Sequence, residues 1–430
     1  MTAASIDPCP RSAVSGGVGL SGLAGLGLWA FVANDHGMDG PYAAAVAVLA
    51  CALPMILWSL FVDRVQRASS TGIVWQREPA PLSQTLPISA VKIAGLWATW
   101  ALIAGVYAIG RWYWEGAYLY AMQALAIALP LLLAGSIPYL VWLDRRLIEP
   151  RDGAYALGLM LLGQGARADR AALAEHGRQW TIKAFFTAFM ISIVPGNWQA
   201  MIASNTAHLL SDPLALAQWL IAGLFMVDVV FATVGYIMTF KPLDSHIRSA
   251  NPFAAGWAAA LICYPPFIMM GPGAPLDYHR NTQDWNLWLA GHPWLIAVVG
   301  AALVLLAGIY AWATVAFGLR FANLTHRGIL THGPYRWTKH PAYLAKTSFW
   351  WLATMPFLTT GSWIDAVRNS VVLALVTAVY YWRARTEERH LSADPAYRAY
   401  AEWMDRNAPI PRLLRWIRGG RVAPALVAAE

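Results

Sequence analysis

A chain of 430 residues that is 58% hydrophobic and 13% charged falls well below the roughly 25% charge usual for soluble domains. We therefore read it as an integral membrane protein. Its formal charge of +8 would suit a nucleic-acid partner, but the basic residues gather in alternate loops between apolar runs. Membrane topology then accounts for the basic excess and excludes that class.

Runs close to the roughly 20 residues that cross the hydrocarbon core as a helix fall at 14–33, 41–62, 90–110, 117–143, 184–202, 214–240, 253–271, 293–319, 343–360 and 367–382. The first is Gly-rich, the fifth contains Pro195 and Gly196, and the ninth and tenth are short. With the N-terminus inside, 27 of the 31 Lys and Arg fall in cytoplasmic segments, whereas the external loops hold Arg111, Arg280 and Arg368. Such an alternation fits ten spans with both ends cytoplasmic, an all-α polytopic bundle. The first apolar stretch is too long for a cleaved signal and no small-x-small site follows it, so a retained helix is expected. Cys9, Cys51 and Cys263 show no ligand spacing, and neither a disulfide framework nor a metal site is expected.

The chain changes character near residue 290. Residues 1–290 hold seven spans, a polar segment Gln164 to Lys183 and a turn-rich external loop Gly271 to Pro293; their role is not legible. Asp228 is the clear acid inside a span there, either a packed, hydrogen-bonded group or a substrate contact. Residues 291–430 hold three spans, a charged tail and the dense polar chemistry.

Two clusters stand out in that second part. The stretch Gly333 to Tyr343 reads GPYRWTKHPAY, with His340 and Tyr343 flanking Pro341. Its glycines allow close backbone approach, and its aromatic rings offer faces to a cation or a flat ring. An interfacial aromatic belt with a helix-starting His-Pro would explain the same residues structurally. The second cluster, RARTEERHL at Arg383 to Leu391, emerges from the last span with Arg383 and Glu387 four apart on one helix face. A plain salt bridge would explain that pair; a carboxylate that binds a cationic or hydroxylated ligand beside an anion-binding Arg would also explain it. Tyr397, Tyr400 and Trp403 recur at intervals of 3 and 4, which predicts an amphipathic helix against the protein or the interface.

In order, GPYRWTKHPAY, two short spans, RARTEERHL, DPAYRAY and the PIPR end at Pro409 to Arg412 resemble the isoprenylcysteine carboxyl methyltransferase family and the related membrane phospholipid N-methyltransferases, over about 293–415. The resemblance implies S-adenosyl-L-methionine at the cytoplasmic ends of these helices. It implies that Gly328, Ile329, Leu330, Tyr335, His340, Pro341, Ala342, Tyr343 and Glu387 line the cofactor, that Arg383 faces the substrate or the reacting centre, and that Glu388 holds the site together. The chain departs from the family pattern at Lys339, where Arg is usual before His-Pro, and at Ala345, where Gly is usual. Lys346 follows, an ammonium that either serves the site or snorkels to the interface.

The expected chemistry is direct transfer of a methyl group to a lipophilic or small carboxyl, thiol or amine acceptor arriving from the bilayer. Alignment rather than acid-base chemistry would supply most of the rate. No metal is expected, because none of the 10 His residues shows a ligand spacing. The other readings are a nicotinamide-dependent membrane reductase of related architecture, and a transporter or lipid-binding membrane protein. A bacterial inner membrane is the expected location.

Overall fold

A computed structural model describes residues 9–204, 206, 208–409 and 412. Among them are thirteen α-helices: α1 Gly16–Asp35, α2 Pro41–Leu57, α3 Leu82–Gly110, α4 Leu119–Asp144, α5 Gly153–Leu161, α6 Arg170–Ile202, α7 Pro213–Ile237, α8 Ala254–Leu261, α9 Trp285–Trp288, α10 Pro293–Phe317, α11 Pro341–Thr354, α12 Trp363–Leu391 and α13 Pro395–Asn407. The strands β1 Ser249–Ala250 and β2 Thr325–His326 pair antiparallel, Ser249 with His326. The molecule is thus an all-α, multi-pass membrane bundle, as the composition requires.

Eight helices among the described residues are long and apolar enough to cross a membrane, two fewer than the runs of apolar residues suggest. The two that fall short are the seventh and ninth. In the seventh, α8 has 8 residues and stops short of Pro265 and Pro266; irregular chain then continues to Thr282, whose hydroxyl donates to the carbonyl of Leu358 at 3.1 Å. In the ninth, α11 has 14 residues, roughly 21 Å at 1.5 Å per residue against about 30 Å of hydrocarbon. It ends where Met355 takes φ +44° ahead of Pro356. Proline removes the donor and clashes with the preceding turn, so neither helix continues.

The polar segment before the fifth span is helical as well. Asp169 accepts from the amides of Ala171 and Ala172, and α6 runs unbroken from Arg170 through Pro195. Such a cap satisfies donors that a helix start leaves open. Lys92, which the loop count treats as cytoplasmic, lies inside α3. Its ammonium pairs with Asp144 and Asp152, both at 2.8 Å, and holds α3, the end of α4 and the start of α5 together.

Helices α7 and α10 form the central pair and run parallel. Thr314 meets Asp228, and Gly235 approaches the Phe321 backbone so closely that a methyl group there would overlap it. Helix α1 crosses α10 at Gly19, against the carbonyl of Val315. Without a hydrophobic drive between helices in lipid, such small-residue contacts supply the dispersion that holds them. One apolar cluster accordingly combines Val18, Phe231, Val315 and Tyr335, joining the two halves of the sequence.

On the side where β1 and β2 pair, the buried guanidinium of Arg327 donates to the carbonyls of Gly235, Met238, Leu319, Phe321 and Ser245. Those carbonyls close the ends of α7 and α10, where acceptors lack helical partners. Burial pulls the Arg327 pKa down to about 9, which leaves it charged at neutral pH. Beside it, Arg320 pairs with Asp244 at 2.8 Å. Gly328 follows with φ +107°, and a side chain there would strike Ala13 and Arg320.

Candidate functional site

Helices α11 and α12 are antiparallel neighbours whose charged ends meet. The chain enters α11 at Pro341, whose ring suits the first helical position, and His340 is its N-cap residue. The Nε2 of His340 is 3.0 Å from the Glu388 carboxylate, which also accepts from Arg385 at 2.7 Å. One turn along α11, the Tyr343 hydroxyl donates to Glu387 at 3.0 Å. The His340 and Tyr343 rings lie parallel within 7°, centroids 5.6 Å apart. The two adjacent carboxylates are therefore each oriented by a different residue of α11.

No ion pair joins Arg383 to Glu387 among the described residues, although they are four apart on α12. Arg383 is 5% exposed, and its guanidinium stands over the rings of Tyr380, Tyr343 and Tyr264 at 5.1, 5.2 and 5.7 Å. It donates to the side-chain oxygen of Asn323 at 3.2 Å, and the Asn323 amide donates to the Tyr264 hydroxyl, also at 3.2 Å. Ring faces attract a cation most strongly when both are shielded from water, so this box holds the guanidinium without neutralising it.

These groups surround a cleft lined by Tyr335, His340, Ala342, Tyr343, Arg383 and Glu387, all anticipated from sequence. Its wall is largely aromatic with a few convergent polar groups, the usual make-up of a small-molecule site. Tyr335 enters from the loop before α11, its carbonyl held at 2.7 Å by the Tyr400 hydroxyl of α13. Burial, with Glu387 and Tyr343 nearby, holds the Tyr335 phenol far above its ordinary pKa.

Gly328, Ile329 and Leu330 stand beside the cavity rather than in its wall. Ile329 is buried against Tyr397, Tyr400 and Trp403 of α13, and Leu330 belongs to the central cluster. The aromatic periodicity of 397–403 thus produces a helix docked on the protein. Pro341 is buried at the start of α11, and Glu388 sits at the rim with His340 and Arg385. The PIPR end lies partly outside the described residues.

Sequence reading missed Asn323, Tyr264, Tyr310, Thr314 and Tyr380. Tyr380 carried a usable signal, since Tyr380, Arg383 and Glu387 fall at i, i+3 and i+7 on one helix face. Tyr264 carried none: it belongs to the irregular chain after α8 and reaches the site through tertiary structure. A second, smaller pocket shares Tyr343, Arg383 and Glu387 with the first and is lined opposite them by Asn251, Gly256 and Ala260. Residues 1–290 therefore supply part of both walls.

Glu387 offers a fixed carboxylate to a ligand's ammonium or hydroxyl groups, and the rings of Tyr335, Tyr343 and Phe317 offer apolar faces to a flat heterocycle. S-Adenosyl-L-methionine carries all of these features, so the residues present fit it. Among the described residues no group of three or more His, Cys, Asp or Glu could hold a metal ion. No curated protein and no solved structure matches this chain. Residues 294–393 match the model of the Isoprenylcysteine carboxyl methyltransferase (ICMT) family, a match that indicates a membrane methyltransferase.

Proposed function

We propose that the protein is an S-adenosyl-L-methionine-dependent methyltransferase of a bacterial inner membrane, acting on a lipophilic or small carboxyl, thiol or amine acceptor that enters from the bilayer. One observation carries this reading. Within the family-matched segment, Tyr335, His340, Tyr343, Arg383 and Glu387 converge on a single cavity from a loop and two helices.

S-Adenosyl-L-methionine, when bound, supplies an electrophilic methyl group. The chain's own residues bind and align. Tyr343 orients the Glu387 carboxylate toward the ligand, and His340 with Arg385 fixes Glu388 so that the paired ends of α11 and α12 stay in register. Arg383, held by Asn323 and three rings, presents a fixed positive charge where an acceptor approaches. Preorganised charge in a dry site acts without the reorganisation that water requires. A displacement of this type gains chiefly from alignment, which rigid helix ends provide.

Calorimetry of the detergent-purified protein with S-adenosyl-L-methionine, and separately with NADPH, tests the assignment. We expect saturable S-adenosyl-L-methionine binding that is lost in His340→Ala and Glu387→Ala. Binding of NADPH alone would transfer the site to a reductase, and binding of neither by the folded protein would refute the assignment.

A further inference from the structure

The loops after α2 and α4 meet on the side that the distribution of Lys and Arg assigns to the cytoplasm, and neither lines the cleft of α11 and α12. Ile73 and Leu147 form an antiparallel bridge, and the amides of Val74 and Ile148 donate to the carbonyls of Arg146 and Gly72 at 2.8 and 3.0 Å. Residues 63–81 and 145–151 carry six Arg against three acids, Asp63, Glu78 and Glu149. Topology explains why Arg gathers here, but not how the six are divided. Arg77 donates to the Leu147 carbonyl at 3.2 Å and Arg145 to the Ala80 carbonyl at 2.9 Å, so each staples one loop to the other.

Arg67 and Arg146 do something else. Arg146 lies over the ring of Trp75 at 5.3 Å, and Arg67 lines a pocket with Trp75, Gln66 and Gln76. Neither guanidinium makes an ion pair or a hydrogen bond among the described residues. Of the acids, Asp63 accepts from Ser15 and Glu149 from the Arg151 amide. Trp75 is fixed in place: its indole N–H donates to the Gln66 carbonyl at 2.6 Å, and its ring meets Trp142 at 6.1 Å. Beside the pocket, Phe61 and Val62 past the end of α2 and Trp142 near the end of α4 are exposed. Tryptophan and exposed apolar side chains next to Arg mark the headgroup level of a membrane.

We propose that Arg67, Arg146 and Trp75 form a binding site for the phosphate of an anionic phospholipid whose headgroup carries no ammonium, separate from the methyl-transfer site. A guanidinium matches phosphate oxygens in geometry as well as charge, and the acyl chains run past Phe61 and Trp142. A choline headgroup is disfavoured, because its cation would sit beside two guanidinium groups and one face of Trp75 already carries Arg146. The bound lipid ties the loop after α2 to the loop after α4, which gives residues 1–290 an anchor in the membrane surface.

Native mass spectrometry of the full chain in detergent, titrated with phosphatidylglycerol or phosphatidylcholine of identical acyl chains, tests the proposal. The first phosphatidylglycerol should bind about tenfold more tightly than the first phosphatidylcholine, as two Arg at a headgroup allow. Arg67→Gln with Arg146→Gln should bring that ratio to about twofold or less. Arg167→Gln with Arg170→Gln, which removes the same charge elsewhere on that side, should leave it near wild type. Equal binding of the two lipids, a preference that survives the first pair, or an equal loss in the second pair would overturn the proposal. Displacement of phosphatidylglycerol by sn-glycerol 3-phosphate would make this a site for soluble phosphate esters and overturn the lipid assignment. A thermal melt shows whether the first pair folds. If it does not, Arg67→Gln alone, at an exposed side chain that bonds nothing, should halve the preference, and an unchanged ratio would overturn the proposal.

Discussion

Tyr343→Phe isolates one atom of the candidate site. The hydroxyl donates to Glu387 at 3.0 Å, whereas the ring has separate contacts: it stacks on His340, meets Tyr380 edge-on and carries Arg383 over its face. Phenylalanine keeps the ring and these contacts in weaker form, so the fold should be preserved. What is lost is a hydrogen bond to a charged acceptor, worth about 1.5–3 kcal/mol. Glu387 stays in place but loses the group that aims it, so the lower end of that range applies. At about 1.4 kcal/mol per decade, S-adenosyl-L-methionine should bind about tenfold more weakly. Calorimetry on the variant reads that loss, and a thermal melt in the same detergent should move by no more than a few degrees. Unchanged affinity with an intact fold would refute the argument that Glu387 must be aimed by Tyr343 to hold the cofactor.

Three further expectations concern the frame. Arg327→Met should destabilise the protein by about 3 kcal/mol or more, because it strips donors from carbonyls that close α7 and α10; a thermal melt that does not move would remove this clamp from the account. Gly95→Ala should cost about 1–3 kcal/mol, since its methyl group would overlap the Ala154 carbonyl and the backbone of Gly158 where α3 meets α5; wild-type stability would show that the helices separate freely. Burial lowers His246 from 6.5 to about 4 and lowers His326 as well. Both are bases with depressed folded-state values, so the unfolded chain binds more protons between the two pKa values and stability falls as pH drops from about 6.5 toward 4. His246 alone can account for up to about 3 kcal/mol of that loss; a flat melting temperature across this window, or a loss that is undiminished in His246→Asn, would contradict it.

Composition alone determined the membrane class, because backbone groups in lipid must be satisfied within helices and few charges can be tolerated there. The order of GPYRWTKHPAY and RARTEERHL determined that α11 and α12 would bring His340, Tyr343, Arg383 and Glu387 to one end of a hairpin, since helix periodicity fixes which side chains share a face. The same one-dimensional pattern could not decide where an apolar run stops being a helix. The stretch 253–271 reads as a span but becomes the short α8 and irregular chain, and that chain is what delivers Tyr264 to Arg383. Nor could spacing decide partners: Arg383 and Glu387 look like a salt bridge along the sequence, yet Asn323 and Tyr343, distant in the chain, take them instead. Lys346 reads equally as a snorkelling residue or a site residue until Trp350, Tyr310 and Tyr380 are seen around its ammonium. Local periodicity is written residue by residue, whereas the surroundings of a buried charge are made by segments far apart in the chain, and only the folded bundle brings those segments together.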